Sequence, residues 1–139
     1  MGPHIVARMR LDRQELLAIF AGGFIGTVLR AGLVEAWAHD PGRWPWATFV
    51  VNIAGAAALG YLTTRLQERM PLSAYRRPLL GTGLCGALTT FSTMQLELLV
   101  MLDAGRWGLA FAYAGASVAA GFAAVAIATN LTRRARVLA

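Results

Sequence analysis

The stretch GTGLCGALTTFSTM, residues 81–94, decides the fold of this chain. It lies within residues 78–102, a run whose only formal charge is Glu97 and which is long enough to cross a bilayer as a helix, since that takes about 20 apolar residues. Its glycines lower helix propensity, and its hydroxyl side chains compete for backbone hydrogen bonds. In lipid, backbone groups freed in this way are tolerated only when they are buried in protein or line a polar cavity. The stretch therefore predicts a broken helix that holds something small and polar at membrane depth.

The glycines of this stretch allow two other interpretations. Gly81, Gly83 and Gly86 match the G-x-G-x-x-G dinucleotide motif, with Asp103 at about the spacing of a ribose-binding acid. That motif needs a preceding buried strand and a soluble α/β domain, and the sequence indicates neither, so we disfavour it. Small residues also permit close contact between helices, which explains the glycines but not the hydroxyl cluster at residues 89–93.

The composition is that of a polytopic membrane protein. Of the 139 residues, 57% are hydrophobic and 14% are charged, whereas soluble domains are about 25% charged. The net charge of +6 comes from arginines at the ends of apolar segments, where they meet lipid headgroups, and this disfavours nucleic acid as a partner. The single cysteine, Cys85, excludes an internal disulfide.

Four apolar segments predict four transmembrane helices in one domain that covers residues 1–139. The predicted helices span roughly residues 15–34, 47–64, 78–102 and 107–131. Trp37, Trp44 and Trp46 flank the first connector and predict an interfacial aromatic belt. We therefore expect an all-α integral membrane fold in which the third of four helices is broken.

A few polar side chains interrupt these helices and are candidates for an ion path. Arg30 either snorkels to the interface or lines an aqueous vestibule that attracts an anion. Asn52 either bridges helices or donates its NH2 group to an anion. Tyr113 and Ser117 share one helical face, where they form a polar track or bond to neighbouring backbone. The sequence alone leaves each of these alternatives open.

The glycine and polar positions of all four helices together resemble those of the small bacterial fluoride channels, the Fluc/CrcB family. The resemblance rests on Gly22-Gly23-x-x-Gly26-x-x-x-Arg30, Thr48-x-x-x-Asn52-x-x-Gly55, Gly83-x-x-Gly86-x-x-Thr89-Thr90-Phe91-Ser92-Thr93 and Tyr113-Ala114-Gly115-Ala116-Ser117, one motif in each helix. It covers nearly the whole chain. It implies a fluoride-selective channel that exports fluoride passively across a bacterial inner membrane and so relieves fluoride toxicity.

The resemblance also implies an assembly and its ion sites. Two copies would form an antiparallel, dual-topology homodimer with two pores and a central structural Na⁺ held by the backbone carbonyls of Gly86 and Thr89. The implied pore residues are Thr48, Asn52, Thr90, Phe91, Met94, Tyr113 and Ser117, with Arg30 at the vestibule. Such donors suit fluoride, because a small, strongly hydrated anion exchanges its water for amide, hydroxyl and aromatic-edge contacts.

Two positions depart from the family pattern. Family members often carry a second pore Phe where this chain has Met94, and a further hydroxyl residue where it has Gly121. Because methionine has no ring edge, we expect fluoride conduction to depend more heavily on Phe91 here.

A second class of protein that fits four short helices is a small multidrug or cation exporter. Such a transporter needs a carboxylate within the membrane to exchange protons for substrate. The middle of the first helix carries glycines instead, and only Glu35, near its end, and Glu97 are candidates. The channel is therefore favoured over the exporter, and no enzymatic activity is expected.

The distribution of arginines conflicts with a homodimer inserted in both orientations. Four helices place both termini and the 65–77 connector on one side of the membrane, and that side holds the ten residues Arg8, Arg10, Arg13, Arg65, Arg69, Arg76, Arg77, Arg133, Arg134 and Arg136. The other side holds Arg43 and Arg106. By the positive-inside rule this bias fixes one orientation. Either helix packing overrides the charge rule, as we expect, or a second and oppositely biased chain completes the assembly.

Overall fold

The computed structural model describes residues 12–37, 43–68 and 75–137, and every description below concerns those residues. They form six helical segments: α1 (Arg13–Ala36), α2 (Trp46–Glu68), a π-helical segment (Pro78–Cys85), α3 (Gly86–Leu88), α4 (Phe91–Asp103) and α5 (Trp107–Val137). Arg8, Arg10 and Arg69, together with most of the two longer connectors, lie outside the described residues.

Four stretches of the chain are long and apolar enough to cross a membrane. They are Arg13–Ala36, Trp46–Arg65, Pro78–Asp103 and Trp107–Ala135, and we call them the first to fourth spans. The prediction of an all-helical membrane protein with four spans is thereby confirmed. The last helix reaches Val137 and so runs past the predicted end near residue 131, and its last turns include Arg133 and Arg134.

The subunit turns large apolar side chains outward. Phe24, Phe111 and Phe122 are among its most exposed residues, and Phe122 is 80% exposed. The buried cluster is small and consists of Met94, Met101, Ala110 and Tyr113. In water this distribution would be unfavourable, but in a bilayer the lipid tails solvate the outer surface.

Glycines let the first and third spans approach to backbone contact. A Cβ at Gly22 would overlap the carbonyl oxygen of Leu79, and one at Gly26 would lie 2.5 Å from the Leu84 oxygen. From the other side, a Cβ at Gly83 would lie 2.7 Å from the carbonyl oxygen of Ile19. Close packing of small residues is the main attractive force between helices in lipid, so these glycines fix α1 against the π-helical segment.

The ends of the helices are closed by local bonds. Asp12 caps α1 by accepting from the Gln14 N–H at 2.9 Å. The turn after α4 contains Gly105 at φ +71°, a left-handed conformation that glycine adopts without strain. Tyr75 donates its hydroxyl to the Gln14 side chain and so ties the start of the third span to the start of the first.

Candidate functional site

Two extended residues separate α3 from α4, and we call them the Thr89–Thr90 junction. Thr89 has φ −76° and ψ 145°, and Thr90 has φ −141° and ψ 109°. The N–H and the hydroxyl of Thr89 both donate to the Cys85 carbonyl, at 3.1 and 3.0 Å, and so close the end of α3. The backbone therefore leaves the helical region in the middle of the third span, where lipid offers it no hydrogen bonds.

The second span supplies the junction with its polar partner, Asn52. Its Nδ2 donates to the Thr90 carbonyl at 3.1 Å, and its Oδ1 accepts from the Thr90 N–H at 2.8 Å. Gly55, one turn later, brings α2 close, because a Cβ there would overlap Cγ2 of Thr89. Asn52 thus bridges helices, and the second hydrogen of its NH2 group remains for another acceptor.

The hydroxyl of Thr90 caps α4. Its Oγ1 accepts from the Thr93 N–H at 3.1 Å and donates to the Thr93 Oγ1 at 2.8 Å, and the Ser92 Oγ lies 3.3 Å away. Thr90 is 4% exposed. Its hydroxyl hydrogen is therefore already used within the chain, and Thr90 acts on the site mainly by fixing where α4 begins.

The two carbonyls expected to hold a cation, those of Gly86 and Thr89, have lost their usual helical donors. The N–H four residues after Gly86 belongs to Thr90 and goes to Asn52. The N–H four residues after Thr89 belongs to Thr93 and goes to the Thr90 hydroxyl. Backbone carbonyls freed in this way are hard oxygen ligands, which Na⁺ accepts readily.

Side-chain metal ligands do not compete with these carbonyls. In the part of the chain that the structure describes, no three or more His, Cys, Asp or Glu side chains gather where they could bind a metal. The donor chemistry of the Thr89–Thr90 junction therefore fits an alkali cation better than a transition metal.

A second polar cluster joins three spans around Glu97. Thr48 donates to Oε1 of Glu97 at 2.5 Å, and Tyr113 donates to Oε2 at 2.7 Å. Thr48 and Tyr113 are fully buried. Two predicted pore residues thus donate their hydroxyl hydrogens to one carboxylate. An anion could accept either hydrogen only by replacing that carboxylate as the acceptor.

Aromatic rings enclose this cluster at one end of the bundle. Trp44 packs edge-on against Phe49 and against Tyr113, with both centroid distances 5.4 Å. Trp37 and Trp46 are exposed, as the predicted aromatic belt requires, but Trp44 is half-buried. Trp44 differs from the belt because its ring completes the packing around the Tyr113 side chain.

The remaining predicted site residues lie in different environments. Phe91 is 67% exposed on the surface of the subunit, whereas Met94 is 7% exposed and packs into the buried cluster. Ser117 has a buried Oγ without a hydrogen-bond partner among the described residues, beside an apolar groove of about 360 Å³ that Gly121 and Phe122 also line. Arg30 is half-buried on α1, which packs on the first half of the third span.

Sequence reasoning missed the central position of Glu97. The signal was available, because Glu97 is the only charge in residues 78–102 and such a residue needs buried donors. Its partners come from spans two and four, however, and nothing in the spacing of one helix reveals which hydroxyls of the others will face it.

Comparison with known proteins identifies relatives along almost the whole chain. The model of the CrcB-like protein family, described as camphor resistance (CrcB), matches residues 17–129. The chain is 59% identical to the fluoride-specific ion channel FluC 1 of Mycobacterium bovis over 126 residues, which cover 91% of this chain and 96% of the relative. It is 41% identical to FluC 2 of Nocardia farcinica over 88% of each chain. It is 40% identical to FluC of Chloroflexus aurantiacus over 86% of this chain and 95% of the relative.

Proposed function

Because the chain belongs to the CrcB-like family, we propose that it is a subunit of a fluoride-selective channel through which fluoride leaves the cell passively. The observation that carries the proposal is the 59% identity to a fluoride-specific channel over nearly the full length of both chains. Passive export protects the cell because fluoride that enters as neutral HF dissociates inside and would otherwise accumulate.

The polar groups of the described chain support an anion path made of donors. Asn52 retains one N–H, Ser117 has an unpartnered hydroxyl, and Phe91 presents its ring at the surface. The edge of an aromatic ring is electropositive, so it can follow an amide and a hydroxyl as a fluoride contact. Fluoride selectivity then arises because these contacts replace the tightly held water of a small anion.

The exporter alternative receives less support. Its proton carrier would have to be Glu35, which lies at the end of α1, or Glu97, whose two carboxylate oxygens accept hydroxyl hydrogens from Thr48 and Tyr113. Family membership also favours the channel, since the named relatives are fluoride channels.

We assign the channel to an antiparallel homodimer in the plasma membrane of a bacterium, with two pores. Phe91 and the carbonyls of the Thr89–Thr90 junction support a partner, because in a lone subunit the ring would face lipid and the carbonyls would go unbonded. A second copy related by a two-fold axis in the membrane plane would bring both junctions together.

A central Na⁺ is the proposed ligand of that assembly. The carbonyls of Gly86 and Thr89 would hold it, each subunit contributing the pair, and the ion would neutralise the partial negative charge of the helix ends that meet there. The residues of this chain contribute by directing the usual helical donors of these carbonyls to other acceptors.

Ion efflux from liposomes that contain the purified protein tests the function. We expect fluoride to leave rapidly down its gradient when a potassium ionophore balances charge, and chloride to be retained. A proton-coupled exporter would instead move its substrate only with a pH gradient. Fluoride efflux equal to that of empty liposomes, or chloride efflux as fast as fluoride efflux, contradicts the proposal.

A further inference from the structure

The side-chain amide of Asn52 forms hydrogen bonds with both backbone groups of Thr90. The Thr90 N–H needs an oxygen and the Thr90 carbonyl needs an N–H, and the amide of Asn52 supplies both, at 2.8 and 3.1 Å. Because the two bonds require opposite ends of the amide, the side chain can bind in only one orientation. The pairing imitates a backbone partner from a neighbouring strand and holds Thr90 in its extended conformation.

This pairing competes with continuation of the helix. In an uninterrupted helix the Thr90 N–H would donate to the carbonyl of Gly86. By taking that N–H, Asn52 leaves the Gly86 carbonyl without its helical donor, on an exposed residue of the subunit surface. The same geometry lets the Thr90 hydroxyl take the Thr93 N–H, which would otherwise go to the Thr89 carbonyl.

The position of Asn52 is itself fixed by packing. Gly55 allows α2 to lie against the Thr89 side chain, since a Cβ there would overlap Cγ2 of Thr89. Gly60 allows the same helix to lie against α5, since a Cβ there would be 2.8 Å from the Val125 carbonyl oxygen. Because α2 packs against both the Thr89–Thr90 junction and α5, its packing fixes the position of the Asn52 amide.

We infer that Asn52 is a positioning residue for the cation site: its amide holds the Thr90 peptide away from the Gly86 carbonyl and thereby leaves that oxygen free to bind the cation. The inference rests on the proposed function, which supplies the cation. It gives Asn52 a role separate from any contact with fluoride. Loss of the amide lets the Thr90 N–H return to the Gly86 carbonyl, and the cation then has to displace that bond.

Na⁺-dependent stability of the purified assembly tests the inference. Thermal unfolding is followed as NaCl replaces N-methylglucamine chloride at constant ionic strength, for the wild type, Asn52→Leu, and Asn130→Leu as a matched change at an exposed site. We expect Na⁺ to stabilise the wild type and Asn130→Leu with the same half-saturating concentration. For Asn52→Leu that concentration should rise about twofold to tenfold, the size expected from competition with one returned hydrogen bond.

A variant with slower fluoride flux separates the role of Asn52 at the cation site from a role in fluoride conduction. Phe91→Ile should conduct fluoride more slowly, by up to about tenfold, yet keep the wild-type dependence of stability on Na⁺, whereas Asn52→Leu should change both. A dimeric Asn52→Leu protein with the wild-type Na⁺ dependence overturns the inference, and fluoride flux through the wild type then leaves the channel proposal standing. A wild type that conducts fluoride but gains no stability from Na⁺ overturns the cation site and the inference together.

A measurement on the unmodified protein covers the case in which Asn52→Leu fails to assemble. Coupling is reciprocal, so Na⁺ bound at the Gly86 carbonyl should strengthen the pairing of Thr90 with Asn52. We expect hydrogen exchange at the Thr90 amide of the wild type to be slower in Na⁺ than in N-methylglucamine. Equal exchange rates in the two salts contradict the inference.

Discussion

Phe91 and Met94 lie three residues apart on α4 but in opposite environments. Phe91 is exposed at the surface of the subunit, and Met94 packs into its buried cluster. Phe91→Ile should lower the rate of fluoride efflux from liposomes by up to about tenfold, because an aromatic-edge contact contributes about 0.5–1.5 kcal/mol. Met94→Leu conserves volume in the core and should leave the rate near that of the wild type. Equal rates for the two variants, both still dimeric, would remove Phe91 from the fluoride path.

The hydroxyls of Thr48 and Tyr113 are coupled through Glu97. Thr48→Val or Glu97→Leu alone should destabilise the protein by about 1–3 kcal/mol, because each leaves a buried polar group unpaired. The double variant should lose less than the two single losses together, with a coupling energy of about 0.5–3 kcal/mol in thermal or chemical unfolding.

The control for this cycle pairs Thr48→Val with Thr132→Val. The hydroxyl of Thr132 donates to the Ala128 carbonyl of its own helix and is not part of the Glu97 cluster, so those two losses should add. If the losses of stability from the Thr48 and Glu97 changes also add, the Thr48 hydroxyl does not bond to the Glu97 carboxylate in the membrane-embedded protein.

The candidate site could be anticipated from single residues only in part. Asn52 stood out because an amide in an apolar helix needs a partner, yet the sequence could not decide between a helix bridge and an anion donor. The structure uses both ends of the amide on Thr90, a pairing that depends on how two spans pack. The contact of the predicted pore residues with fluoride stays a prediction.

At the scale of helices, the contact between the first and third spans depends on one of two neighbouring glycines. A Cβ at Gly22 would overlap the Leu79 carbonyl oxygen, whereas one at Gly23 would meet nothing within 4 Å. Gly22→Ala should destabilise the protein by about 1–3 kcal/mol through overpacking. Gly23→Ala should be neutral or slightly stabilising, because alanine favours helix.

Unfolding of the two alanine variants in the same detergent provides the measurement. The neighbouring positions share the helix, the depth and the chemical change, so only the local contact differs. A Gly23→Ala variant as unstable as Gly22→Ala would mean that the two spans pack through a different face.

Hydropathy predicted the four spans because lipid demands long apolar segments. The irregular parts were harder to place. Pro78–Cys85 forms a π-helical segment that no residue pattern predicts, and its backbone packs against the α1 glycines. The predicted end of the fourth helix was also too early, because the arginines of its last turns are typical of a non-helical terminal segment.

For the whole molecule, the orientation in the membrane is the decisive measurement. Ala104→Cys, in the turn after α4 and in a Cys85→Ala background, should react with an impermeant thiol reagent from both sides of the membrane if the chain inserts in both directions. The arginine bias alone would give reaction from one side. One-sided labelling together with an absence of fluoride flux would mean that a second, oppositely oriented chain is required.

The pairing of Asn52 with Thr90 lies within a single chain, so it does not require a partner chain in order to form. A newly inserted subunit can shape its irregular third span before it meets any other copy. In the proposed homodimer, encounter in the membrane would then join two preformed surfaces, and association would require little refolding. A mutation that loosens the pairing would delay maturation and lengthen the time for which proteases meet an incomplete subunit.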